Sequence, residues 1–244
     1  MILFGLIGHP LGHSFSKAYF TAKFEREGLD CEYQNYDIED ISIIKKSNLT
    51  GFNVTIPYKE AIIPYLDELD PAAKEIGAVN TVKVFPDGRM IGYNTDVIGF
   101  SVALHSILLT HHSSLLTPHS ALVLGTGGAS KAVQYVLKKH RIAFQLVSRD
   151  PKKGNLTYAT LKPDIIKSHL LIINTTPVGM APNIDAAPDI PYEAISDKHA
   201  LIDLIYNPEE TLFLRHGKKH GATTVNGLTM LYSQAEASWK IWNS

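Results

Sequence analysis

The sequence predicts an α/β protein in which short buried strands alternate with helices. Two patterns carry this reading. Apolar runs too short for helices are separated by segments of helical period, and residues 121–147 read as strand, glycine turn, helix and strand. Length agrees: 244 residues make one large domain or two modest ones. A chain of this size buries roughly 70% of its unfolded surface, enough for a core without staples.

The elements follow in order. Ile2 to Ile7 reads as a strand. Ser16 to Glu27 reads as a helix, capped by Ser14 or Ser16 and stopped by Gly28. Glu32 to Tyr36 and Gly51 to Thr55 read as strands. Thr81 to Phe85 and Met90 to Tyr93 flank Pro86-Asp87-Gly88-Arg89, a hairpin signal. A helix spans Asp96 to about Leu109. His111 to Ser114 and Thr117-Pro118 then read as a boundary. Beyond it come strand Ala121–Leu124, helix Ala129–His140 and strand Phe144–Val147. Leu170 to Ile173, Ala200 to Leu204 and Thr223 to Val225 read as later strands.

Composition excludes several classes. With 23 basic against 24 acidic side chains, the chain is no nucleic-acid binder working by bulk charge. The single cysteine, Cys31, excludes an internal disulfide and a cysteine-cluster metal site. The start lacks a basic targeting region, and no apolar run has the length of a membrane span. A cytoplasmic protein free of membrane is expected. His9/His13 and His216/His220 are spaced by four, but neither pair has the glutamate or third ligand of a zinc pattern, so no metal is expected.

Three clusters point to chemistry. In Val123-Leu124-Gly125-Thr126-Gly127-Gly128-Ala129-Ser130 a buried strand runs through glycines into a helix. That arrangement lets the backbone approach a pyrophosphate at a helix N-terminus. The other reading is an ordinary tight turn, and Ser130 stands where the third glycine of the usual fingerprint falls. After the next strand come Ser148-Arg149-Asp150-Pro151-Lys152-Lys153. Arg149 and Lys153 suit a 2′-phosphate and favour NADP, whereas Asp150 suits a ribose hydroxyl. The third cluster lies upstream: Asn53, Thr55 and Lys59 just past one strand, Asn80 at the start of another, and Asp96 at a helix start. Alone, Asp96 reads as a helix N-cap and Lys59 as a surface lysine. Together they suit a crevice for a small polyol or carboxylic acid.

These segments resemble the shikimate dehydrogenase family from Ile7 to Gln234. The matching pieces are Gly8 through Ser16, Gly51 through Lys59, Gly77 through Thr81, Asn94-Thr95-Asp96 and Gly125 through Ser130. They continue with Asn174 through Met180, Asp203 through Pro208 and Asn226 through Gln234. The resemblance implies NADP-linked interconversion of 3-dehydroshikimate and shikimate, in aromatic amino-acid biosynthesis. The fold it implies is an N-terminal α/β substrate domain plus a trimmed Rossmann-type doubly wound domain. Residues 1–97 would form the first, completed by a C-terminal helix at 226–244, and residues 98–225 the second.

The resemblance also assigns residues. Lys59 and Asp96 would be the catalytic pair, Asp96 orienting Lys59 and a substrate hydroxyl. Ser14, Ser16, Thr55, Asn80, Tyr206 and Gln234 would bind substrate. Gly125, Thr126, Gly127, Gly128, Ala129, Ser148, Arg149, Lys153, Thr175, Gly227 and Met230 would hold the cofactor. Three departures stand out. Lys17 replaces a common Pro, which should leave the helix start intact. Ser148-Arg149-Asp150 replaces Asn-Arg-Thr. Residues 154–168 are too short for a full crossover helix and strand. The rivals are a quinate/shikimate dehydrogenase with relaxed cofactor use, a non-catalytic shikimate-binding module and a folate-type methylene dehydrogenase. Monomer and homodimer both stay open.

Overall fold

In the computed structural model, which describes residues 1–12, 14–110 and 120–244, the strands form two six-stranded sheets. The boundary read at 111–118 and the His13 half of the first histidine pair lie outside the described residues. The elements are β1 (Ile2–Gly8), α1 (Phe15–Glu27), β2 (Cys31–Asp37), β3 (Gly51–Val54), α2 (Tyr58–Ala61), β4 (Glu68–Leu69), α3 (Pro71–Ile76), β5 (Thr81–Val84), β6 (Met90–Tyr93) and α4 (Asp96–Thr110). Then come β7 (Ser120–Leu124), α5 (Gly128–Lys139), β8 (Ala143–Ser148), β9 (Leu156–Thr157), α6 (Pro163–Ser168), β10 (Leu171–Asn174), β11 (Ala200–Asp203), α7 (Leu212–Lys219), β12 (Thr223–Val225) and α8 (Leu228–Trp242). Two compact units result: Met1–Thr95 with Ala235–Ser244, and Asp96–Gln234.

The first sheet has the order β2-β1-β3-β5-β6-β4 and is mixed. β1 runs parallel to β2 and β3, whereas β5 is antiparallel to both β3 and β6. The C-terminal ends of β1, β3 and β6 and the start of β5 therefore share one edge. Gly8 pairs with Asp37, Ile7 with Val54, and Thr81 with both Asn53 and Tyr93. One face packs Ile7, Phe52, Val54 and Val82 under Tyr58 and Ile62. The other packs Phe4 and Tyr33 under Phe20 and Phe24 of α1 and Ala235 and Trp242 of α8. Trp242 stacks on Phe4 with centroids 4.8 Å apart and donates its indole N–H to Val82 O at 2.9 Å. The indole occupies the space where a Cβ at residue 51 would sit, so only glycine fits there. Each such aromatic pair is worth roughly 0.5–1.5 kcal/mol beyond its buried area, and together they fix the end of α8 to this sheet.

The second sheet is wholly parallel, in the order β12-β11-β10-β7-β8-β9. Numbered from β7, this is the doubly wound 3-2-1-4-5-6 order of dinucleotide-binding folds. Alternate residues serve opposite faces, as the two-residue strand period demands. Ala121 and Val123 face α4 and α5, whereas Leu122 and Leu124 face Ile166 and Phe213 of α6 and α7. The fold is trimmed where the sequence implied: β9 has two residues and α6 has six.

Candidate active site

The edge of the first sheet collects the upstream cluster. Ser14 is the N-cap of α1, and its hydroxyl oxygen accepts from Lys17 N at 3.3 Å. Proline at position 17 has no N–H and could not make this bond. The Ser14 oxygen thus acts here as an acceptor. The preceding loop is fixed by Asp37, whose carboxylate pairs with His9 Nδ1 at 2.7 Å and accepts from Leu11 N at 3.1 Å. The His9 hydrogen bond and the Leu11 amide hold that carboxyl below its ordinary range. Ser16 is half-buried in the first turn of α1.

Thr55 follows β3 and donates its N–H to Ile7 O at 2.9 Å, and its own carbonyl accepts from Tyr58 N at 2.9 Å. That turn starts α2, which carries half-buried Lys59. Val79 N donates to Lys59 O at 2.7 Å. The next residue, Asn80, is 2% exposed, and its Oδ1 accepts from Thr95 N at 2.7 Å and Thr95 Oγ1 at 3.1 Å. One two-residue turn therefore grips the backbone of Lys59 and the residue immediately before Asp96. Asp96 is buried and opens α4 as its first helical residue, with Thr95 ahead of it. It is not the N-cap, which corrects the reading of Asp96 in isolation.

Behind this edge lies a polar network that the sequence did not disclose. Asn53 Oδ1 accepts from Tyr33 OH at 2.8 Å, and Asn53 Nδ2 donates to Thr81 Oγ1 at 3.1 Å and Ser238 Oγ at 3.0 Å. Asn53 is thereby bonded into the fold. Gln234 stands one turn before Ser238 on α8 and is half-buried.

In the second sheet the switch in strand order falls between β7 and β10, where such sheets bind ligands. Gly125 follows β7 with φ +107, which side-chain-bearing residues rarely adopt, and a Cβ there would lie 2.7 Å from Thr175 Oγ1. Thr175 donates both its N–H, at 2.9 Å, and its hydroxyl, at 2.7 Å, to Leu124 O. Gly127 is the N-cap of the twelve-residue α5 and is exposed, with open space around it. Thr126, Gly128 and Ala129 are half-buried beside it. Ser130 is fully buried and accepts from Gln134 Nε2 at 3.2 Å, which explains how a hydroxyl replaces the third glycine.

The turn after β8 is folded on itself. Buried Ser148 accepts from Asp150 N at 3.1 Å, and the Asp150 carboxylate accepts from Lys152 N at 2.9 Å. Arg149 and Lys153 are exposed. Burial raises the Tyr158 phenol, and the nearby Arg149 charge partly opposes it. Farther along, Gly227 N donates to Ile205 O at 2.9 Å, next to half-buried Tyr206, whose phenol burial pushes up. Buried Met230 packs over Gly99. His216 packs on the Tyr192 ring at 4.4 Å, and among the described residues no cluster of metal-ligating side chains forms.

A family model described as the shikimate dehydrogenase substrate binding domain matches residues 6–82. The NADP(+) shikimate dehydrogenase of Methanococcus maripaludis strain C6 is 41% identical over 260 residues, spanning 98% of this chain and 91% of that relative. Shikimate 5-dehydrogenase from Thermus thermophilus, solved with NADP(H) and shikimate, matches with a TM-score of 0.84 at 32% identity, over 99% of this chain and 93% of that one. Quinate dehydrogenase from Corynebacterium glutamicum, solved with NAD, matches with a TM-score of 0.89 at 27% identity, again over 99% and 93%. At this identity and coverage, the chain belongs to the shikimate dehydrogenase family.

Proposed function

We propose that this protein is an NADP-dependent oxidoreductase that interconverts 3-dehydroshikimate and shikimate. The observation that carries the site assignment is the Val79-Asn80 turn, which fixes the backbone at Lys59 and at the residue before Asp96. The family supplies the substrate, since relatives are named for shikimate and NADP(+). The cofactor fits the residues present. Gly125 and Gly127 clear a path to the N-terminus of α5, and exposed Arg149 and Lys153 suit a 2′-phosphate. Thr126, Gly128, Ala129, Ser148, Thr175, Gly227 and Met230 complete the proposed cofactor set.

NADPH held by these residues would supply the hydride for reduction of the ring carbonyl. The carbonyl oxygen gains negative charge and takes up one proton. The Lys59 ammonium hydrogen-bonds that oxygen and stabilises the charge, and Asp96 is its carboxylate partner in handling the proton. Ser14 and Ser16 donate hydroxyl protons to the substrate carboxylate. Thr55, Asn80, Tyr206 and Gln234 hold the remaining polar groups. With Cys31 a free thiol, a reducing cytoplasm is the proposed setting.

The test is absorbance at 340 nm with purified protein, shikimate or quinate, and NADP+ or NAD+. Turnover fastest with shikimate and NADP+ is expected. Turnover fastest with quinate and NAD+ would replace this reading, and no turnover with any pair would sink it.

A further inference from the structure

β10 and β11 are neighbours and end in register, Asn174 opposite Asp203. Asp203 is fully buried. Its Oδ1 accepts from Asn174 Nδ2 and from Ile205 N, each at 3.0 Å, and its Oδ2 accepts from Thr211 Oγ1 at 2.6 Å. Each of these partners extends the linkage. Asn174 Oδ1 accepts from Thr176 N at 3.0 Å and Thr176 Oγ1 at 2.7 Å, which brackets Thr175. Ile205, held by its N–H, offers its carbonyl to Gly227 N at 2.9 Å, where α8 begins. Thr211 caps α7 by accepting from Leu214 N at 3.3 Å.

Two connections, the one after β10 and the one between β11 and α7, meet one carboxylate through three uncharged donors, and the Gly227 turn joins them through Ile205. Burying an acid this way is expensive, and burial pushes its pKa up to about 6 against the three hydrogen bonds that pull it down. A neutral residue of the same volume would avoid that cost. Asparagine could keep the three contacts only if the Thr211 hydroxyl turned round to accept from its amide nitrogen, a rearrangement at the cap of α7. The carboxylate alone keeps all three with Thr211 as the donor.

We propose that Asp203 is a positioning residue whose carboxylate sets segments 174–176 and 204–206, and through Ile205 the Gly227 turn. The inference rests on the NADP and shikimate reading above, which gives Thr175, Gly227 and Met230 to the cofactor and Tyr206 to the substrate. Asp203 touches neither ligand in this scheme.

The experiment uses the full chain with Asp203→Asn, Thr211→Val and Thr211→Ser. NADPH binding is read by fluorescence titration, turnover by absorbance, and folding by thermal melts at pH 7.5. Asp203→Asn should weaken NADPH and lower kcat, each by about threefold or more, the scale of one neutral hydrogen bond rearranged at Thr211. Its melting temperature should not fall, because a buried charge has been removed. Thr211→Val should show a smaller loss in the same direction, and Thr211→Ser should restore wild-type binding. Asp203→Asn with wild-type affinity and kcat overturns the proposal. So do losses in Asp203→Asn and Thr211→Val that merely track the unfolded fraction. Because binding is read without turnover, a wild type inactive on shikimate would sink the functional reading while leaving the Asp203 comparison decidable.

Discussion

The polar groups at the edge of the first sheet are hydrogen-bonded into the fold, whereas the charges of the 148–153 turn stand in solvent. Asn80, Thr81, Thr95 and Ser238 are buried and bonded to one another or to backbone. Arg149, Lys152 and Lys153 are exposed, and what orders their turn is backbone bonding through Ser148 and Asp150. The difference follows from the roles proposed for them. Stabilising developing charge needs donors fixed before the reaction, in a site where water does not compete. Recognising a phosphate needs only accessible cations, and these are screened by salt over about 8–10 Å. The first edge should therefore govern kcat, and the exposed turn should govern cofactor KM and salt dependence.

The largest effect should come from the locked edge. Lys59→Ala should lower kcat by at least about 10²-fold with a smaller change in KM, as expected for a group that acts on the transition-state oxygen. Asp96→Asn should also be damaging. The double variant should lose less than the product of the singles, because the two residues act as a unit. Steady-state rates check both statements. Near-normal kcat in Lys59→Ala, or fully multiplicative losses, would undo the contrast from the catalytic side.

The exposed turn should give the next effect, of a different kind. Arg149→Ala should raise KM for NADP+ by about tenfold, the lower range for a charge-assisted contact, with kcat and the NAD+ KM little changed. Raising salt should imitate the substitution in the wild type and have less effect in the variant. If both cofactors weaken equally in Arg149→Ala, this turn does not read the 2′-phosphate.

A smaller effect separates buried from exposed acids by pH. Asp203 has its folded pKa raised to about 6 by burial, so it contributes most stability when protonated and loses that contribution as pH rises through 6. Paired acids nearer the surface, such as exposed Asp37 and half-buried Glu210, have lowered values, and their contribution is lost only as pH falls below the ordinary carboxylate range. On this account the wild type should gain about 1 kcal/mol between pH 7.5 and pH 5 relative to Asp203→Asn. Urea melts of both proteins at the two pH values measure it. A wild type that loses stability relative to Asp203→Asn on going to pH 5 would reverse the sign.

The same contrast decided what the sequence disclosed. The Gly125–Gly128 turn, the α/β alternation and the β5–β6 hairpin are local patterns, and each appears where the sequence placed it. α3 is marked just as locally, since Asp70 caps it, Pro71 opens it and Gly77 ends it. The Asn53–Ser238 bond joins residues 185 positions apart, and no period or spacing announces it. Gly51 is an ordinary strand glycine in the sequence, and its reason is the Trp242 ring. Asp203 showed only as one letter of a motif, because its role depends on three loops that the fold brings together. α2 has four residues and β4 two, too few for a periodic signal.

The smallest predicted effect concerns Asp150, the one acid in a turn otherwise suited to phosphate. A carboxylate this close to a 2′-phosphate repels it, yet in the structure the group also accepts from Lys152 N at 2.9 Å and so helps shape the turn. Asp150→Thr separates the two roles. A threonine hydroxyl can accept from the same N–H, more weakly, and carries no charge. The turn should keep its form while the repulsion goes. Because the turn is exposed, the gain is small: NADP+ affinity should rise about two- to fivefold, in the range of an exposed charge interaction below 1 kcal/mol. NAD+, without the phosphate, should be unaffected, and the difference should shrink at high salt. Asp150→Ala, which removes both the charge and the acceptor, should gain less than Asp150→Thr if the turn's shape matters. Titrations of the three proteins with both cofactors at low and high salt check this. Equal tightening of NADP+ and NAD+ would mean that Asp150 acts through the turn's shape alone.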